Sequence, residues 1–275
     1  MKYNSLGRKK KINLEKEILN LYDNGTSIKN ICEKLNIGRQ TVHNYTRKNR
    51  RSRYRKHSFD GASFSTFTPK SCYWAGFIAA DGCVDKNKTY LRVEININDK
   101  IHLTKLSNYT KDQQPYIAYG TKECKFNDKI YNVKYCRIDI NSVKIIKDLK
   151  DNFNITSAKS FTLLPPYKIP KNLIIHYVRG YFDGDGSIYW NKSHKHSIFQ
   201  VSSGSIKLLS WMSNCIKENV DYNFSKKAFI IRKNSSIYFI RQCWSSKYIL
   251  NWLYKDSSDE TRLDRKYKRY IKYCK

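Results

Sequence analysis

Apolar positions follow three rhythms along this chain. From Leu14 to Tyr45 they recur every three or four residues. Leu14, Ile18, Leu21 and Tyr22 share one helical face, Ile28, Ile31, Cys32 and Leu35 share a second, and Val42 anchors a third segment from Arg39 to Tyr45. Asp23-Asn-Gly-Thr predicts the first turn, with Thr26 or Ser27 available as the next N-cap, and Asn36-Ile-Gly38 predicts a tight second turn. Residues 1–11 read as a basic tail, and residues 47–60 carry no apolar period.

The second rhythm is unbroken. Residues 72–80 are apolar on nearly all sides, which predicts a buried helix. Thr68-Pro69 supplies an N-cap and a first-turn proline, and Gly82 a C-cap. The third rhythm is mixed: 90–97, 116–119 and 130–140 read as strands, separated by helices carrying Leu103 and Leu106, then Val143, Ile145, Ile146 and Leu149. Pro165, Pro166 and Pro170 then punctuate the chain, and 171–182 predicts a second buried helix. The same order returns. Residues 199–209 parallel 93–103, 229–232 and 236–242 read as strands, 248–254 as a helix, and 262–275 as a closing basic helix. Residues 68–275 therefore read as an internal duplication. The expected class is α+β, with two pseudo-symmetric αββαββα-type halves and a small all-α N-terminal domain. The expected boundaries are 1–48, a basic linker at 49–67, half 1 at 68–165 and half 2 at 166–275.

Charge narrows the partner. The 275 residues hold 53 Lys and Arg against 23 Asp and Glu, a formal charge of +30, the footprint of a nucleic-acid binder. An AT-rich genome would inflate lysine, but accounts less well for the arginines between Arg47 and Arg55. The eight cysteines form no C-x-x-C pair, and His194 and His196 stand as a lone H-x-H, so no zinc site is expected. Neither a secretory signal nor a membrane-length apolar run is visible, so the expectation is a soluble, intracellular protein.

Two helices joined by a short Gly-containing turn make a helix-turn-helix pattern. The run SIKNICEKLNIGRQTVHNY resembles resolvase- and transposase-type helix-turn-helix domains. The resemblance implies that Arg39, Gln40, Thr41, His43 and Asn44 face a major groove, where Arg and Gln suit guanine and adenine edges. Arg50, Arg51 and Arg53, in the basic linker, are expected to track phosphate or the minor groove.

The two apolar helices end alike, on Trp74-Ala-Gly-Phe-Ile-Ala-Ala-Asp-Gly82 and Val178-Arg-Gly-Tyr-Phe-Asp-Gly-Asp-Gly186. Gly76 and Gly180 let two helix backbones approach closely. Asp81 and Asp185 then emerge at one end of the pair. Two such charges about 5 Å apart repel by roughly 3 kcal/mol at an effective dielectric near 20. A hard divalent cation relieves this and also accepts phosphate oxygens. An EF-hand beginning at Asp183 fails, because Ile188 and His194 occupy its glycine and glutamate positions. A simple turn after a core helix explains one Asp-Gly better than two.

These stretches resemble the LAGLIDADG motif of homing endonucleases, and with the duplication the resemblance covers about three quarters of the chain. It implies that Asp81 and Asp185 are catalytic metal ligands, with Gly82 and Gly186 beside them at the metal site. It implies Mg²⁺, with Mn²⁺ able to substitute. It implies a saddle-shaped sheet on the major groove, for which Arg92, Asn96, Lys134 and Arg137 are the strand candidates. Lys159 and Lys266 sit late in each half and are expected to polarise water or steady phosphate, against the alternative of exposed surface lysines. Asn98 and Ser203 are weaker positioning candidates. Ala79 stands where the pattern has its first Asp, and Arg179 is bulky for a tight interface, so it either points away from the partner helix or packs asymmetrically.

The resulting expectation is a monomeric, Mg²⁺-dependent, site-specific endonuclease that cuts both strands of a long DNA target, needing no protein or membrane partner. The alternatives are a non-cleaving transcriptional regulator and an intron maturase on the same fold. An intein is disfavoured, since no splicing-type termini are visible.

Overall fold

A computed structural model describes residues 4–24, 26–49, 59–87, 90–110, 117–126, 129–225, 229–234 and 237–274. The chain divides into two compact units, Met1–Ser58 and Phe59–Lys275.

The first unit holds three helices among its described residues: α1 (Asn4–Asp23), α2 (Ile28–Leu35) and α3 (Arg39–Lys48). Ile18, Ile31 and Val42, one from each helix, form its core. Ser27 caps α2 by accepting from Asn30 N at 3.0 Å, and Asn36 closes it at φ 49, a left-handed conformation that asparagine tolerates. Residues 4–11 are not a tail: α1 already runs through them. Lysine, arginine and leucine are good helix formers, so the helix extends ahead of its apolar stripe.

The second unit is mixed α+β, with two four-stranded antiparallel sheets. Its first half runs α4 (Pro69–Asp81), β1 (Gly82–Val84), β2 (Leu91–Asn96), α5 (Lys100–Thr110), β3 (Ala118–Phe126), β4 (Lys129–Ile140) and α6 (Val143–Phe153). The second half runs α7 (Ile174–Asp185), β5 (Gly186–Asn191), β6 (His196–Ser203), α8 (Ile206–Asn219), β7 (Arg232–Asn234), β8 (Ile237–Gln242), α9 (Ser246–Tyr254) and α10 (Asp264–Cys274). The sheets have matching orders, β1-β2-β4-β3 and β5-β6-β8-β7. One apolar core joins them, centred on α4 and α7 and on inward strand residues such as Val93, Ile138, Val201 and Ile240.

Thr68 and Ser71 form a capping box around Pro69 at the start of α4, while α7 is entered through a short 3-10 turn, Lys171–Leu173. Several strand expectations shift. The strand expected at 116–119 is β3, Ala118–Phe126, because its paired edge continues beyond the apolar residues. The strand expected at 229–232 begins only at Arg232, since Phe229 adopts φ 60. The internal repeat is also offset from the expected one. Gly82 pairs with Val93 and Gly186 with Val201. Val201, rather than Phe199, is therefore the counterpart of Val93; the second half has a longer hairpin, and a two-residue error keeps every side chain on its expected face.

Candidate functional site

The site begins with two glycines. A Cβ on Gly76 would run into Tyr177 O and Tyr181 N, and one on Gly180 into Tyr73 O and Phe77 N. α4 and α7 are thus in backbone contact where these residues cross. Towards the C-termini, Gly184 sits against Ala80 Cβ, and its own added Cβ would lie 3.1 Å from Asp81 Oδ2. Both helices pass directly into strands. Gly82 and Gly186 are the C-caps, donating their N–H groups to Ile78 O and Phe182 O, but in extended conformations, φ −80 and −91. Glycine is needed there for space, since a Cβ at Gly82 would stand 2.5 Å from Ile78 O.

Asp81 and Asp185 emerge from these ends. Asp81 is half-buried and Asp185 reaches solvent. Burial, then the like charge of Asp185, push the Asp81 carboxyl up to about 7, against the pull of Lys266 and Lys159. Desolvation of its carboxyl at the helix end raises Asp185 as well, opposed by Lys159, Tyr181 and Lys266. Asp81 lines a cavity of about 260 Å³ with Glu94, Asn96, Asp99, Asp183 and Arg265. Asp185 lines another, of about 320 Å³, with Lys159, Ser160, Tyr181, Ser202 and Ser203.

The two lysines are not surface residues. Lys159 is buried and donates to Ala79 O (2.6 Å) and Ala80 O (3.3 Å), the last carbonyls of α4. Lys266 is buried and donates to Phe182 O (2.7 Å), Asp183 O (2.7 Å) and Gly184 O (3.0 Å) at the end of α7. Each ammonium satisfies helix-end carbonyls and answers their negative dipole end. Burial lowers both, Lys266 to about 8, and the neighbouring aspartates oppose that fall.

Each lysine arm is clasped by the opposite half. Lys159 follows Ala158, held at φ 54, a backbone conformation costly for alanine. Its segment lies on the β6–α8 turn, where Gly204 leaves room for Ser160 O and Ser205 Oγ donates to Leu163 O at 2.7 Å. The arm bearing Lys266 is tied to the first half through Arg265–Asp99 (2.9 Å) and Lys105–Asp264 (3.0 Å).

Asp183 holds the first motif aspartate, the place Ala79 takes in the other copy, and Arg179 is the bulky departure. Asp183 is fully buried and accepts from Tyr254 OH (2.7 Å), Tyr73 OH (2.8 Å) and Leu263 N (2.8 Å). The motif places a carboxyl at 183, but nothing in the local sequence names these three donors. Arg179 is fully buried, with its guanidinium 5.8 Å from the ring centroid of Tyr73 on α4. It donates to Leu253 O (2.8 Å) and Thr261 O (2.9 Å) and bonds His176 Nδ1 (2.8 Å).

Of the strand candidates, Arg92, Asn96 and Arg137 share one sheet face and Lys134 does not. Arg92 forms a two-pronged pair with Asp139 on the neighbouring strand, Nε–Oδ1 at 2.7 Å. Asn96 accepts from Asn98 N at 3.0 Å, in the turn leading to α5, so Asn98 is engaged through its backbone. Arg137 shares the outward face of β4 with Asp139. Lys134, three residues earlier and exposed, lies on the other face, because strand side chains alternate with period two. Ser203 is buried, accepts from Ser205 N at 3.1 Å and lines the Asp185 cavity.

In the first unit, Arg39, Gln40, His43 and Asn44 are exposed along α3 and Thr41 is half-buried. Gln40 donates to Asn44 Oδ1 at 3.0 Å, fixing two amides side by side. Arg50, Arg51 and Arg53 lie outside the described residues. Residues 7–49 match the helix-turn-helix domain of resolvase. That resolvase-like domain suggests DNA binding. A search of curated proteins finds no match. Among the described residues no helix is long and apolar enough to cross a membrane.

Proposed function

We propose that this chain is a site-specific double-strand DNA endonuclease of the LAGLIDADG homing type. The observation that carries the reading is the glycine-to-backbone seam of α4 and α7, ending in Asp81 and Asp185 between two buried lysines. The two sheets would line a saddle along the duplex, and the helix-turn-helix would extend the site or add affinity.

The donor set fits Mg²⁺. Among the described residues no group of three or more His, Cys, Asp or Glu is arranged to hold an ion alone. Magnesium characteristically takes one or two carboxylates and completes its shell with water and substrate phosphate. Asp81 and Asp185 would hold it, with the Gly82 and Gly186 backbone beside them. When bound, the ion supplies a Lewis acid for phosphodiester hydrolysis. Lys159 and Lys266 are bonded in place on helix-end carbonyls, so their ammonium charge would favour the phosphate at a distance without reorganising. The helix seam would set the carboxylate spacing, and each half's carboxylate would serve one of the two scissile phosphates.

The test is cleavage of a DNA library with Mg²⁺ by the unmodified protein, Asp81→Asn and Asp185→Asn. Each Asn variant should lose at least one strand cut while DNA binding persists. Unchanged cutting by both would refute the assignment. Binding without any cutting by the unmodified protein would favour the regulator, and preferential binding of a structured intron RNA the maturase.

A further inference from the structure

Tyr73 and Tyr177 hold matching places in the two motifs, each eight residues before its aspartate. Their hydroxyls have different fates. Tyr73 OH donates to Asp183 Oδ2 at 2.8 Å. Tyr177 OH is buried and has no hydrogen-bond partner among the described residues. The reason is in the sequence: two residues before Asp185 stands Asp183, but two residues before Asp81 stands Ala79. A buried hydroxyl without a partner carries its full desolvation penalty, so the first half forgoes a contact that the second half makes.

The contact belongs to a clamp. Besides Tyr73, Asp183 accepts from Tyr254 OH on α9 and from Leu263 N just before α10. Three residues beyond Leu263, Lys266 donates to the carbonyls of Phe182, Asp183 and Gly184. The end of α7 is therefore fixed through a side chain and three carbonyls. The end of α4 has Lys159 on two carbonyls and only a methyl group at Ala79. The two chambers differ as well: carboxylate-rich beside Asp81, lined by hydroxyls and a lysine beside Asp185.

We propose that Asp183 is a positioning residue that makes the half-sites unequal: it pre-orders the Asp185 end of the helix pair, so the strand served by Asp185 is cut first. This rests on the endonuclease reading above. The physical basis is geometric. A group already held in its reacting geometry loses less freedom on reaching the transition state, and small misplacements are costly in rate.

The experiment follows each strand separately on a duplex with distinct end labels. Asp81→Asn and Asp185→Asn assign a strand to each aspartate. The strand lost in Asp185→Asn should be the one the unmodified protein cuts first. Asp183→Asn should slow that strand about tenfold and the other by clearly less. Tyr254→Phe, which removes one donor while keeping the ring, should slow the same strand by less. A second readout needs neither metal nor DNA. Backbone amide exchange at 184–187 should be slower than at 80–83 in the metal-free protein, and Asp183→Asn should erase the difference. A first cut belonging to Asp81, equal slowing of both strands, loss of both cuts in either Asn variant, or equal exchange at the two helix ends would each overturn the proposal. Absence of any cut by the unmodified protein would sink the endonuclease reading and this proposal with it.

Discussion

Asp81 binds its proton more tightly in the folded chain than an ordinary aspartate, its carboxyl standing near 7 rather than 3.8. A raised carboxyl favours folding while protonated, so its contribution is present below about pH 4 and is lost as pH rises to about 7. Asp183 and Asp185 are raised too and act in the same sense. The Asp81 contribution to the stability of the metal-free protein should therefore fall between pH 5 and pH 8, opposed up to about pH 6.5 by His102 and His176, which burial holds low, and Asp81→Asn should remove that fall. Mg²⁺ should flatten it in the unmodified protein, because a cation favours the ionised form. Denaturant titrations at the two pH values measure all three, and an undiminished slope in Asp81→Asn would exclude Asp81 as a source. At this scale the motif aspartates, glycines and late lysines could be picked out from sequence. The hydrogen bonds of Arg179 and Asp183 could not, because their partners at 253–263 are 70 or more residues away along the chain.

Helices α4 and α7 touch through backbone, and that contact tolerates little. Gly180→Ala would drive a methyl into Tyr73 O, so the helices must part. The expected loss is about 1–3 kcal/mol, the usual range for overpacking a close contact, with loss of any activity that depends on carboxylate spacing. Gly61→Ala is the control, since its Cβ would meet only the Lys144 side chain, at 3.4 Å. Equal denaturant midpoints for the two variants would show that the seam is not tight. The existence of both helices was legible because their apolar residues cover every side, which only a fully enclosed helix requires. Strand ends were less legible. The sequence near Tyr119 has no apolar run to extend it, and β3 persists because β4 pairs with it as far as Phe126.

At the scale of the whole molecule, the described residues form two separate apolar cores, one per unit. A chain lacking Met1–Ser58 should therefore stay folded, bind DNA more weakly, and cut at saturating protein. For the full chain, neutralising about eight phosphates gives a log–log salt slope of roughly −7. The shortened chain should show a shallower slope, measured by binding at several salt concentrations; an identical slope would mean that the first unit makes no phosphate contacts. What this sequence settled unaided was local or repeated: amphipathic helices, caps, a helix-turn-helix, two motif copies at half-domain spacing, and an excess of positive charge. Each is written in residues a few positions apart, where period and steric fit act directly. The tertiary structure alone decided which lysines are buried on helix ends, which half clasps each of them, and that Asp183 has three donors while Tyr177 meets no acceptor among the described residues. Those outcomes depend on where distant segments meet in space, and burial and hydrogen bonding respond to that meeting rather than to order along the chain.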